Sequence, residues 1–188
     1  MIARHIPNAL TVARMLLAWP IVWALAREQY GLTLALFAVA GFSDGVDGFL
    51  ARRYGWHSRL GSILDPLSDK VLLVAAFLSL GYLGHLPAWL VVAVLGRDVI
   101  IVTGALVYHA FFEPVTMEPT LISKLNTVCQ IVLVLATVMS LGFVNVAPLI
   151  MGALVVVVGV TTVSSGVAYV WIWTRRAQSV ARKRGAGD

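Results

Sequence analysis

Between Ser43 and Lys70 the chain reads SDGVDGFLARRYGWHSRLGSILDPLSDK, and four of its nine acidic residues, Asp44, Asp47, Asp65 and Asp69, fall inside this stretch. Asp44 and Asp47 are three residues apart and Asp65 and Asp69 four apart, so on helices each pair occupies one face about a turn high. Two helices would therefore present two carboxylate pairs. Four carboxylates brought together repel one another and titrate upward unless cations neutralise them. The donors are oxygens, which suits a hard divalent ion, magnesium or manganese, and the charge suffices for one or two ions, two being expected. Such ions usually complete their shell with phosphate oxygens of a substrate.

The residues between the acids favour a phosphate ligand. Gly48 lies one turn beyond Asp44 and Ala51 one turn beyond Asp47, both small enough to let a ligand approach the backbone. Arg52 shares the face of Asp44 and Gly48, where a guanidinium can meet phosphate or carboxylate. Gly61 stands one turn before Asp65 and opens the same kind of space. Helix capping is the structural alternative for Asp65 and Asp69, but capping asks for one acid per helix end and leaves two pairs unexplained.

The acids stand out because the rest of the chain is apolar: 60% of its 188 residues are hydrophobic and 12% charged. Runs such as VLLVAAFLSLGYLG exceed what a soluble domain of this size can hide, so an all-α integral membrane protein is expected. At about 1.5 Å per residue a span needs roughly 20 apolar residues. Spans are predicted near 8–27, 31–51, 61–82, 86–110, 121–142 and 146–173, separated by REQYG, GHLP, FFEPVTMEP and GFVN. The first is read as a retained span and not a signal peptide. Arg4, Arg52, Arg53, Arg59, Lys70, Lys124 and the tail bases Arg175, Arg176, Arg182, Lys183 and Arg184 fall on one side of these spans and Arg27 on the other. Both termini are therefore expected in the cytoplasm, in a multi-pass protein of the inner (cytoplasmic) membrane.

This organisation gives a six-span catalytic domain over 1–174 and a basic cytoplasmic tail over 175–188, whose last residues are expected to be disordered. The bases sit at the ends of apolar segments, which points to anionic membrane lipids and away from nucleic acid. The single cysteine, Cys129, excludes an intramolecular disulfide and reads as packing. Segment 111–120, with two prolines and two glutamates, reads as an interfacial helix or loop beside the site.

The stretch DGVDGFLARRYGWHSRLGSILDPLSD resembles the signature of the CDP-alcohol phosphotransferase family at every fixed position: Asp44, Asp47, Gly48, Ala51, Arg52, Gly61, Asp65 and Asp69. Six spans with both ends cytoplasmic agree with that family's fold. The resemblance implies transfer of a phosphatidyl group from CDP-diacylglycerol to an alcohol with release of CMP. It implies that Asp44, Asp47 and Asp65 bind the metals, that Asp69 is both ligand and the base for the acceptor hydroxyl, and that Gly48, Arg52 and Ser58 contact the CDP portion. It also implies a homodimer.

Other segments bear on the acceptor. IPNALTVARMLLAWP is similar to the start of the phosphatidylglycerophosphate synthase and cardiolipin synthase branch, with Asn8, Thr11 and Arg14 on or near one helical face, and Asn8 assigned to the CDP-lipid. Arg14 falls inside the first span, where snorkelling to the interface is the simple reading. Arg97 and Asp98 lie deep in the fourth span. Adjacent residues on a helix point in different directions, so a mutual salt bridge is not expected; Arg97 either holds an acceptor phosphate or joins a polar network between helices. Ser123, Lys124, Asn126 and Thr127 open the fifth span. RDV with ISKLNT resembles cardiolipin synthases of the mitochondrial type, whereas phosphatidylglycerophosphate synthases more often carry a GKxKT-like run. One lysine fewer favours phosphatidylglycerol, with one phosphodiester charge, over the glycerol 3-phosphate dianion. Acceptor contacts are accordingly expected from Arg97, Ser123, Lys124 and Asn126. A small cation or proton transporter also buries acids, but would be expected to hold them near the midplane with some symmetry between halves.

Overall fold

A computed structural model describes residues 6–54, 61–111 and 120–185, and within them the side chains of 12–46, 49, 68, 70–104 and 120–175. The described residues form six helices and no strand: α1 (Ile6–Ala26), α2 (Tyr30–Tyr54), α3 (Gly61–Tyr82), α4 (Ala88–Phe111), α5 (Leu121–Gly142) and α6 (Pro148–Gly185). They match the six predicted spans within three residues at each end, except that α6 continues through the basic tail to Gly185. Among the described residues, Leu121–Gly142 and Pro148–Arg175 are long and apolar enough to cross a membrane; α1, α2 and α3 contribute shorter apolar stretches. Residues 112–119 and the end of the tail, for which a loop or interfacial helix and disorder were expected, lie outside the described residues.

Local chemistry explains where the helices stop. After α1, the N–H of Gln29 donates to the Ala24 carbonyl at 2.9 Å and that of Glu28 to Leu25 at 3.0 Å. This bond pattern requires a left-handed residue, and Glu28 adopts φ 57° although glycine is the usual occupant. α3 closes in the same way with a glycine: Gly84 has φ 79°, and the N–H of His85 donates to Leu80 at 2.9 Å. Thr120 caps α5, its hydroxyl accepting the Ser123 N–H at 3.2 Å. Proline opens α6, at the position where a missing N–H goes unnoticed.

The chain divides into two compact units, Met1–Pro87 with Val134–Ala147, and Ala88–Leu133 with Pro148–Asp188. In the first, α1 packs against both α2 and α3. Ile21, Ala24 and Leu25 of α1 and Leu73, Ala76, Phe77 and Leu80 of α3 are buried at the spacing of a single helical face. The end of α5 meets the start of α2 so closely that a Cβ at Gly142 would lie 2.7 Å from the Cβ of Tyr30. In the second unit α4 packs on α6. Leu90, Val94 and Arg97 of α4 and Val158, Thr162, Ser165 and Tyr169 of α6 are buried, so this contact carries polar groups along its length.

Candidate functional site

The acid-bearing segments are helical, as the spacing requires: Asp44 and Asp47, with Gly48, Ala51 and Arg52, lie in α2, and Asp65 and Asp69, with Gly61, lie in α3. Ser58 is outside the described residues. Asn8 is in α1. Of the four acids only Asp44 has a described side chain, so the described side chains include no group of three metal-ligating residues.

Asp44 shows how the segments meet. The Arg14 guanidinium of α1 lies 2.6 Å from Asp44 Oδ1 and also donates at 3.4 Å to the hydroxyl of Ser68, the residue before Asp69. One side chain thus reaches Asp44 of α2 and Ser68 of α3, so these two helices approach a common point on α1. Arg14 does not snorkel as its position suggested: it is 2% exposed and turned into the unit, because a carboxylate and a hydroxyl within reach outweigh the distance to water. Half of the Asp44 side chain remains exposed despite the pairing. A half-exposed carboxylate oxygen is a donor of the kind a hard divalent cation takes. Sequence reasoning missed Arg14 as a site residue. The signal was present, since a cation buried in an apolar helix needs an acid and the signature holds four of the nine available.

In the second unit the expected acceptor residues separate into two kinds. Arg97 is 6% exposed and spends every nitrogen on protein: Nη1 on Asp98 Oδ1 at 2.8 Å, Nε on Ser165 at 3.2 Å, and Nη2 on Ser165 at 2.7 Å and on Ser123. The expectation that Arg97 and Asp98 do not pair is therefore corrected. The long arginine stem folds back across the helix surface, which Cβ directions alone do not reveal. Its ring contact with Tyr169, 5.9 Å to the centroid, completes a network joining α4, α5 and α6. Ser123 belongs to that network, and Asn126 to its extension, accepting from Thr161 and Thr162, each at 2.9 Å. Lys124 is exposed. Gln130, one turn beyond Asn126, was not anticipated; it is fully buried and neither of its amide atoms has a partner among the described residues, as is also true of Asn126 Nδ2. Such groups call for bound water or a polar ligand.

A model of the CDP-alcohol phosphatidyltransferase family matches residues 4–164, and the chain belongs to this family. Within it, the chain is 34% identical over 148 residues to human cardiolipin synthase (CMP-forming), covering 70% of this chain and 49% of the human protein. It is 38% identical over 154 residues to the probable cardiolipin synthase (CMP-forming) of Drosophila melanogaster, covering 73% and 47%. It is also similar to the CDP-diacylglycerol–glycerol-3-phosphate 3-phosphatidyltransferase of Aquifex aeolicus, 32% identical over 144 residues, covering 76% of this chain and 78% of that protein. The chain spans about half the length of the animal relatives it matches.

Proposed function

We propose that the protein is a phosphatidyltransferase of the inner (cytoplasmic) membrane that transfers the phosphatidyl group of CDP-diacylglycerol to phosphatidylglycerol, giving cardiolipin and CMP. The observation that carries this reading is the Arg14 link between Asp44 and Ser68, which draws the two acid-bearing segments to one place. In the proposal Asp44, Asp47, Asp65 and Asp69 would hold two divalent ions, magnesium or manganese, which when bound would supply positive charge to the pyrophosphate. Gly48, Ala51 and Gly61 leave room for the CDP portion, and Arg52, Ser58 and Asn8 contact it. Asp69 takes the proton of the acceptor hydroxyl, the hydroxyl oxygen bonds the phosphatidyl phosphorus, and the bond to CMP breaks. A groove of about 430 Å³ along α2, lined by Gly41, Phe42, Gly45, Val46 and Phe49 beside Asp44, gives an acyl chain a place next to the chemistry. Six spans, cytoplasmic termini and a homodimer complete the reading.

At the acceptor, Lys124 supplies the exposed charge. Arg97 fixes Ser123 in the first turn of α5, and Asn126 ties the next turn to α6. Similarity to relatives of both names supports a second reading, in which glycerol 3-phosphate is the acceptor. An assay in detergent with CDP-diacylglycerol and magnesium, offering the two acceptors separately, decides between them. Cardiolipin made from phosphatidylglycerol alone is the expected result; product from glycerol 3-phosphate alone replaces the acceptor and keeps the rest.

A further inference from the structure

The second unit carries a groove of about 550 Å³ between α4 and α6. Its size falls within the roughly 300–1,000 Å³ of small-molecule sites. Val92, Gly96 and Ile100 line it from α4, and Val163, Val167 and Trp171 from α6. A Cβ at Gly96 would meet nothing within 4 Å, so a side chain placed there has open space to enter. The charged group in its wall, Arg97, is already matched by Asp98 and by the hydroxyls of Ser123 and Ser165. Along its length the groove is therefore apolar and electrically satisfied, which suits a hydrocarbon chain and not a headgroup.

Among the described residues, a charge not matched by an acid appears at one end. Trp171, which lines the groove, also carries the guanidinium of Arg175 at 4.7 Å from its ring centroid, one helical turn further along α6. Among the described residues Arg175 has no acidic partner, and in the sequence it stands two residues beyond Trp173, where the apolar run of α6 gives way to Thr174, Arg175 and Arg176. A tryptophan and an arginine at the end of an apolar helix lie at headgroup depth. We infer that the α4–α6 groove, ending at Trp171 and Arg175, is a binding site for one anionic phospholipid, its acyl chain along Gly96 and Val163 and its phosphate on Arg175. The occupant is committed by charge: a zwitterionic lipid offers the same chain, but its ammonium group offsets the attraction to Arg175.

Native mass spectrometry of the purified full chain in detergent tests this, with a chelator present so that metal-dependent substrate binding does not contribute. The probes are dioleoyl phosphatidic acid, which has no acceptor hydroxyl, and dioleoyl phosphatidylcholine. The expected result is retention of phosphatidic acid, one per chain, at concentrations where phosphatidylcholine is lost. Arg175→Gln should reduce that preference roughly fivefold, the equivalent of about 1 kcal/mol for one basic group at a membrane surface. Gly96→Leu, whose side chain enters open space, should abolish retention of both lipids while the lipid-free protein melts as the parent does. Equal retention of the two lipids by the parent chain overturns the proposal. So does unchanged binding by a folded Gly96→Leu variant, or a groove filled by a second copy of the chain, seen as a dimer that Gly96→Leu splits while the lipid count stays the same.

Discussion

Arg14 is a buried cation paired with Asp44, and its effect has a definite sign. With no divalent ion present, its charge offsets part of the repulsion among the proposed metal ligands. Arg14→Gln should therefore lower the stability of metal-free protein by about 1.5–3 kcal/mol, the range for a hydrogen bond to a charged group. Magnesium should restore more stability to the variant than to the parent, because more of the neutralisation then falls to the ion. Thermal unfolding in detergent, with chelator and then with magnesium, reads both effects; a variant that gains nothing from magnesium would show instead that Arg14 orients Asp44 for the metal. At this scale the sequence was only partly legible. The signature acids and their spacing were readable, since type and register are properties of the sequence. The partners of Arg14 and Arg97 were not, because a long side chain chooses among targets that only tertiary packing brings near.

For the helices, the most sensitive point is the close approach at Gly142. A methyl group there would lie 2.7 Å from the Cβ of Tyr30, an atom fixed to the backbone that cannot swing aside. Gly142→Ala should destabilise the protein by about 1–3 kcal/mol, the usual effect of forcing extra atoms into a packed contact, despite alanine's better helix propensity. A melting temperature equal to the parent's would mean that the end of α5 can move away from α2. By contrast Gly152, where a Cβ meets nothing within 4 Å, should accept alanine and serve as the control. The helices themselves were legible from apolar runs and breakers, and α3 and α5 were bounded to the residue. The continuation of α6 was not, because arginine, alanine and glutamine favour helix as much as they favour a solvated tail and no breaker precedes Gly185. The two-unit division was hidden as well, since it cuts α5 between Leu133 and Val134, inside one uninterrupted apolar run.

At the scale of the whole chain, the four aspartates between Ser43 and Lys70 are balanced by Arg52, Arg53, Arg59 and Lys70, so the net charge of +5 comes mostly from Arg175, Arg176, Arg182, Lys183 and Arg184 near the end of the sequence. If the four aspartates hold divalent ions, those ions are linked to folding as well as to turnover, because an ion that binds only the folded state stabilises it by mass action. At an ion concentration 100 times its dissociation constant the gain is about 2.7 kcal/mol. Chelation should stop phosphatidyl transfer and lower the melting temperature, and added magnesium should reverse both with the same midpoint. The paired readout separates the possible causes. Loss of activity with no change in melting would place the ion on the substrate and not on the aspartates, whereas a change in melting that Asp44→Asn and Asp65→Asn leave intact would place it elsewhere on the protein. Only coincident midpoints, shifted to higher magnesium by either substitution, assign the ion to these aspartates.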